Sequence, residues 1–241
     1  MTKYMRRLFV NFGLFTLLLI GFVLMYAVKT TELVYHEIAG LVMAVLVTVH
    51  VVLLRSFFSF VLKQRAPMFI FRDVMLLGIF LCLLGTLVSG ISISNVVFSG
   101  MFRNVDRMLM LEMHNGFTAY LLLFIGAHLG CYIGKFCTWL NDAFSLNSTK
   151  RFIVRIPGYI FQLGLLIVAL NGLRLVGDED FVARILFEQG FSYYDYDRSV
   201  VLFLVDQVSI IGLGMFVSHV LYQNLMVLSF KKEKPQKKSK K

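Results

Sequence analysis

The chain has 241 residues, of which 58% are hydrophobic and only 16% charged, and a formal net charge of +10; its mean hydropathy is +0.77. A water-soluble domain of this length needs far more polar surface, so the composition points to a multi-pass membrane protein. The positive charge would suggest nucleic acid in a soluble protein, but here Lys and Arg flank apolar runs, and the membrane accounts for them without any nucleic-acid partner. The three cysteines, Cys82, Cys131 and Cys137, form no C-x-x-C or C-x-x-C-H pattern. That argues against covalent c-type haem, a thioredoxin-like motif and a zinc site; the two that lie in apolar runs read as small core residues.

Six apolar segments follow one another: Leu8–Val28, Leu33–Leu54, Val74–Ile93, Leu109–Ile133, Ile153–Val176 and Val200–Leu228. Each is long enough to cross a hydrocarbon core of about 30 Å, and backbone satisfaction in lipid requires a helix. The expected fold is an all-α integral membrane protein with six transmembrane helices. The first apolar run follows MTKYMRR and spans 21 residues without an A-x-A-like cleavage site. It exceeds a signal-peptide core and reads as a retained span.

Charge orients the spans. With the N-terminus in the cytoplasm, the N-terminal segment, the Arg55–Arg72 loop, the Lys135–Arg155 loop and the tail after Leu228 hold 18 of the 24 Lys and Arg. Lys29, Arg103, Arg107, Arg174, Arg184 and Arg198 fall outside. This excess places both termini in the cytoplasm. The outer loop between the fifth and sixth spans begins GDEDF and continues VARILFEQGFSYYDYDRS. Val182, Ile185 and Leu186, at i, i+3 and i+4, predict a short amphipathic helix in the interface. Tyr193, Tyr194 and Tyr196 are anchors at headgroup level. The loop is either an interfacial cap or a docking surface. The tail KKEKPQKKSKK is expected to be disordered, near anionic headgroups.

Two stretches carry the chemistry. HEIAGLVMAVLVTVH runs from His36 to His50, and HNGFTAYLLLFIGAH from His114 to His128. Fourteen helical steps turn about 1400°, roughly 40° short of four turns, so each pair shares one helix face about 21 Å apart along the axis. The charge count makes these two spans parallel. His36 then pairs with His114 toward the outside, and His50 with His128 toward the cytoplasm. Each pair can supply the two axial nitrogens of a six-coordinate haem iron, an arrangement suited to electron transfer. Interhelical hydrogen bonding is the alternative use of such histidines. Protein-only zinc or di-iron sites fit poorly, because about 21 Å within one helix prevents convergence.

Gly40, Gly116, Gly126 and Gly130 lie near the histidines and allow either porphyrin approach or close helix packing. Lys29, Arg103 and Arg107 outside, and Arg55, Arg72 and Lys135 inside, are candidate partners for haem propionates. Glu37 and Glu112 flank the outer pair.

The two-by-two histidine pattern resembles that of the cytochrome b of bc-type complexes. The stretches YHEIAGLVMAVLVTVHVVLLR, FRDVMLLGIFLCLLGTLVSGISIS and HNGFTAYLLLFIGAHLG look closer still to a family of bacterial membrane di-haem cytochromes, the flavinylation-associated four-helix b-type cytochromes. The resemblance covers roughly residues 8 to 136 and extends more weakly to YDYDRSVVLFLVDQVSIIGLGMF. It implies a four-helix di-haem bundle in residues 1–137, two additional helices and an outer loop in 138–230, and the basic tail in 231–241. It also implies that His36, His50, His114 and His128 are axial ligands of two non-covalent b-type haems in the bacterial cytoplasmic membrane. Electrons would pass toward a redox partner, in that family often an extracytoplasmic flavoprotein. The segment from Phe102 to His114 is less apolar than a plain span start, which leaves the helix boundary there open.

Other polar residues fall inside the spans. His219, in the last span, lacks a partner at fourteen-residue spacing and is expected to hydrogen-bond structurally. Asp206 either takes protons from a quinol or pairs with Arg198 or Arg174. Asn171 is placed to hydrogen-bond across helices. No Ser/His/Asp or Cys/His arrangement and no phosphate-binding loop are present. Three functions remain open: a trans-membrane electron carrier, a quinone-reactive anchor of a respiratory dehydrogenase, and a non-redox scaffold or transporter.

Overall fold

The structure is a computed structural model that describes residues 20–21, 28–53, 66–144, 155–188 and 199–232. Among these, all regular structure is helical: α1 (Val28–Leu53), α2 (Pro67–Ile93), α3 (Arg107–Gly130), α4 (Ile133–Phe144), α5 (Ile156–Val176), α6 (Glu179–Ile185) and α7 (Val200–Lys232). Five are long and apolar enough to cross a membrane: α1 from Glu32, α2, α3, α5, and α7 up to Ser229. They correspond to the second through sixth expected spans. Most of the first, Leu8–Val28, lies outside the described residues, as do Arg55, Arg198, the loop tyrosines and most of the tail.

Helix starts follow local chemistry. In α2 and α5 a proline occupies the first turn, where no backbone N–H partner is needed. Asp106 caps α3, its carboxylate accepting from Met108 N at 3.0 Å and Leu109 N at 3.2 Å. That cap settles the boundary left open before His114: the polar residues up to Asp106 belong to the connection, and the helix begins at Arg107. In α1 the backbone breaks at Glu32 (φ 52°, ψ 160°), so the uninterrupted helix follows that residue.

The faces are arranged for lipid. On α5, Ile160, Leu163, Ile167 and Leu170 form an exposed apolar stripe, while Leu165, Ala169 and Leu175 are buried. On α7 the polarity is inverted. Asp206, Gln207, Ser209 and Ser218 are buried, whereas Val201, Leu202, Val205 and Val208 are exposed. An apolar outside around a partly polar inside is stable only where the surroundings are hydrocarbon.

The tightest packing runs through α2, α3, α7 and α5. Between α3 and α7 it depends on absent side chains. A Cβ at Gly126 would run into the Ile211 carbonyl, and one at Gly130 into the Met215 carbonyl. As the contacts advance along both helices together, α3 and α7 run parallel. On the neighbouring face of α7, a Cβ at Gly172 of α5 would strike the Ser209 carbonyl. Asn171 bonds across this same interface, donating to Ser209 Oγ at 2.9 Å, which is the cross-helix role expected of it. By contrast, among the described residues α1 touches the other helices sparsely.

Two short helices flank the spans. The fourth apolar segment was expected to run to Ile133, with a plain loop from Lys135. Instead α3 stops at Gly130, a turn follows, and α4 takes over. The chain turns because α4 is amphipathic: Ile133 and Cys137 are buried against Leu165, while Phe136 and Trp139 remain exposed. The other, α6, is the helix expected in the loop between the last two spans, but rotated from the expected face. Phe181 is buried and Ile185 packs on the core, whereas Val182 and Leu186 are exposed. A Schellman closure ends α6: Phe187 N donates to Arg184 O at 3.2 Å and Glu188 N to Ala183 O at 2.9 Å. Phe187 occupies the left-handed position (φ 58°) usually taken by glycine. Its ring compensates by stacking on Tyr120 at 5.9 Å and meeting Phe117 edge-on at 5.4 Å.

Candidate functional site: two facing histidine pairs

The fold brings the starts of α1 and α3 together. The His36 and His114 rings lie with centroids 6.2 Å apart and planes at 74°. At the other end of the same helices lie His50 and His128, each with its Nδ1 buried. His36 thus meets His114, the arrangement expected of parallel helices.

The His114 ring is held from α2. Its Nδ1 lies 3.1 Å from the Thr86 carbonyl oxygen and 3.5 Å from Ser89 Oγ. A carbonyl only accepts, so Nδ1 carries the proton and Nε2 keeps its lone pair. Ser89 is 1% exposed, and its own hydroxyl donates to Gly85 O at 2.6 Å, which leaves its oxygen free to accept. Gly90 clears the space: a Cβ there would come within 3.1 Å of His114 Cε1. Histidines that ligate metals are oriented in this way, through a hydrogen bond from the other ring nitrogen to a carbonyl.

Do these residues fit a haem? Two imidazoles sharing one metal through nitrogens at about 2.0 Å have centroids about 6 Å apart, close to the 6.2 Å between His36 and His114. At the other end, His50 Nδ1 and His128 Nδ1 are buried without a hydrogen-bond partner. His36 Nδ1 and His219 Nδ1 are likewise buried. The spacing of His36 and His114 therefore fits the group. Among the described residues no cluster of three or more His, Cys, Asp or Glu converges, which speaks to protein-only metal centres; a bis-histidine haem draws only two ligands from the chain.

The surroundings of the pairs differ from expectation in several places. Gly116, Gly126 and Gly130 do not face the histidines. Each lies two residues from the nearer histidine, and two helical steps turn about 200°, onto the opposite face. Phe187 fills the notch at Gly116, and α7 closes on the other two. Of the cations, Arg107 bonds the Ile93 carbonyl at 2.8 Å and Asn95 Oδ1 at 2.7 Å. Arg72 is buried, pairs with Asp73 at 2.9 Å and lies over Phe69. Lys135 lies over Tyr132, whose ring meets His128 edge-on at 5.2 Å. Arg103 is exposed, and Glu112 is half-buried. Asp206 and Gln207 are buried near the start of α7, and the backbone of His219 lies against Gly130 of α3.

Glu37 holds more than a flanking position. Its carboxylate accepts from Ser94 Oγ at 2.7 Å and from the backbone N–H groups of Asn95, Val96 and Val97 at 2.8, 3.2 and 2.9 Å. Sequence reasoning did not foresee the support from Thr86, Ser89, Ser94 or Gly90. Comparison with protein-family models, curated proteins and solved structures gives no match.

Proposed function

We propose that this chain is a di-haem membrane cytochrome b of the bacterial cytoplasmic membrane, with both termini cytoplasmic, that carries electrons across the bilayer. The observation that carries the reading is the His36–His114 pair, 6.2 Å apart, with His114 Nδ1 committed to a backbone carbonyl and Nε2 left as the ligating atom. His36 and His114 hold one b-type haem, His50 and His128 the other. When bound, the haems supply one-electron chemistry at two depths separated by about 21 Å.

The chain's own residues do the rest. The Thr86 carbonyl fixes the tautomer and orientation of His114 and raises its basicity, which favours the oxidised iron. Arg72 is buried near the start of α2 as an ion pair with Asp73. The apolar exterior of the helices keeps water from both sites. The donor is a quinol or a cytoplasmic-side reductant; the acceptor is an extracytoplasmic protein, such as one bearing flavin.

The test is a pyridine haemochrome assay on purified protein, with two b-type haems per chain as the expected result. His50→Ala retains one haem, as does His36→Ala, and the two variants lose spectrally different ones. Fully folded but colourless protein, or histidine-to-glutamine variants that behave as wild type, refutes the reading in favour of a non-redox scaffold or transporter.

A further inference from the structure

Glu37 follows His36 directly, on a helix that otherwise packs sparsely and whose backbone is broken at Glu32. Something must nevertheless fix how far α1 is inserted and how it is rotated, because a turn of one residue moves a side chain by about 100° around the axis. The connection after α2 supplies the means. Past Ile93 the chain presents four converging donors, the Ser94 hydroxyl and the N–H groups of Asn95, Val96 and Val97, all at 2.7–3.2 Å from the Glu37 carboxylate. Ser94 serves twice, since its Oγ also accepts from Phe98 N at 2.9 Å and so holds the turn closed. Arg107 braces the same turn from α3 through Ile93 O and Asn95 Oδ1. A run of backbone N–H groups of this kind is an anion-binding concavity, and here the anion arrives on the neighbouring helix.

We propose that Glu37 is a positioning residue: the clasp on its carboxylate sets the depth and rotation of α1 so that His36 meets His114. For its consequence on haem, the inference rests on the function proposed above; for the helix placement it stands alone. The clasp also joins α1 to the very helix that orients His114 through Thr86, so both members of the pair take their alignment from α2.

Two measurements test it. The first needs no haem. In full-length protein with Cys82, Cys131 and Cys137 replaced by alanine, His36→Cys and His114→Cys are cross-linked with a short bis-thiol reagent. Hydrogen bonds to a charged group contribute about 1.5–3 kcal/mol each, so loss of the clasp in Glu37→Ala is expected to lower the cross-linking rate about tenfold or more, with Glu37→Gln intermediate. The second is the low-spin electron paramagnetic resonance signal and midpoint potential of each haem in Glu37→Gln and Ser94→Ala. The His36–His114 haem is expected to shift or lose occupancy, and the His50–His128 haem to stay as an internal control of folding. An unchanged cross-linking rate in Glu37→Ala overturns the inference. So does an unmoved His36–His114 haem signal in a two-haem protein. A colourless wild type whose cross-linking still falls with Glu37→Ala refutes the cytochrome reading and upholds the positioning role.

Discussion

Replacing Gly126 by alanine is the sharpest probe of how the bundle is held. A methyl at this position would run into the Ile211 carbonyl oxygen and come within 3.1 Å of its carbon and 3.2 Å of Gly214 Cα. These are backbone atoms, which cannot rotate away as a side chain can, so α3 and α7 must separate. Overpacking of this kind costs about 1–3 kcal/mol. Helix propensity works the other way, since alanine is preferred over glycine in a helix interior by roughly 0.5–1 kcal/mol. Gly164 isolates that second effect: it lies on the exposed side of α5, with nothing within 4 Å of an added Cβ. The difference between Gly126→Ala and Gly164→Ala therefore reports the clash alone, about 1–3 kcal/mol or roughly a 5- to 150-fold change in the unfolding equilibrium. Denaturant titration in mixed micelles, followed by circular dichroism, measures both variants. Gly126→Ala is expected to lie below wild type or near it, and Gly164→Ala at or above it. Equal stability of the two variants would refute the close approach of α3 to α7.

Three further outcomes follow from the flanking helices. Trp139, the single tryptophan, is 58% exposed on amphipathic α4; its fluorescence in vesicles should be blue-shifted and quenched more by lipids brominated near the headgroup than by those brominated near the chain end, and a water-like emission maximum would remove α4 from the interface. Phe187→Ala empties the notch at Gly116 and removes the ring that offsets a left-handed backbone, so local opening of residues 179–188 should rise about tenfold, from roughly 1–2 kcal/mol of lost burial, as read by amide hydrogen exchange; unchanged exchange would refute its role as the latch. Burial pushes the Cys137 thiol above its ordinary range, with the Gln162 hydrogen bond acting weakly in the opposite direction. Its thiolate is therefore scarcer than that of a free cysteine at any pH up to the ordinary range, and maleimide labelling should be slow at neutral pH and accelerate on unfolding; labelling at the rate of a small thiol would contradict the packing of α4 on α5.

The meeting of His36 with His114 was legible because it depends on two quantities the sequence carries openly, a fourteen-residue spacing and the side on which Lys and Arg collect. Of the two uses open to the glycines, the structure takes helix packing, and the same arithmetic accounts for it: 100° per residue that puts His114 and His128 on one face puts Gly116 and Gly130 behind them. Similarly, α4 had its signal in Ile133, Phe136, Cys137 and Leu140, at i, i+3, i+4 and i+7, hidden because the preceding span runs into it without a polar break. The support of the His36–His114 pair is a different case. Thr86 acts through its carbonyl, and three of the four donors to Glu37 are main-chain N–H groups. Groups that every residue possesses leave no mark in side-chain pattern; only the fold decides which of them converge.

That distinction bears on which helix governs the site. By sequence α2 looks inert: it carries none of the four histidines and shows an exposed apolar stripe of Ile70, Val74, Leu77, Leu81, Leu84 and Val88. Yet its last two turns and the connection beyond them hold His114 through Thr86 and Ser89, clear its ring through Gly90, and clasp Glu37 through residues 94–97. Both histidines of the pair are thus aligned by one element that touches no ligand role itself. Because much of that alignment is main-chain, side-chain substitution along α2 will under-report it, and the informative positions reduce to Ser89, Gly90 and Ser94. Gly90→Ala is the most direct of these, since the added Cβ presses on His114 at 3.1–3.2 Å without removing any hydrogen bond. It should perturb the His36–His114 pair while leaving His50 and His128 as they are, which is the behaviour of a helix that sets one site and merely borders the other.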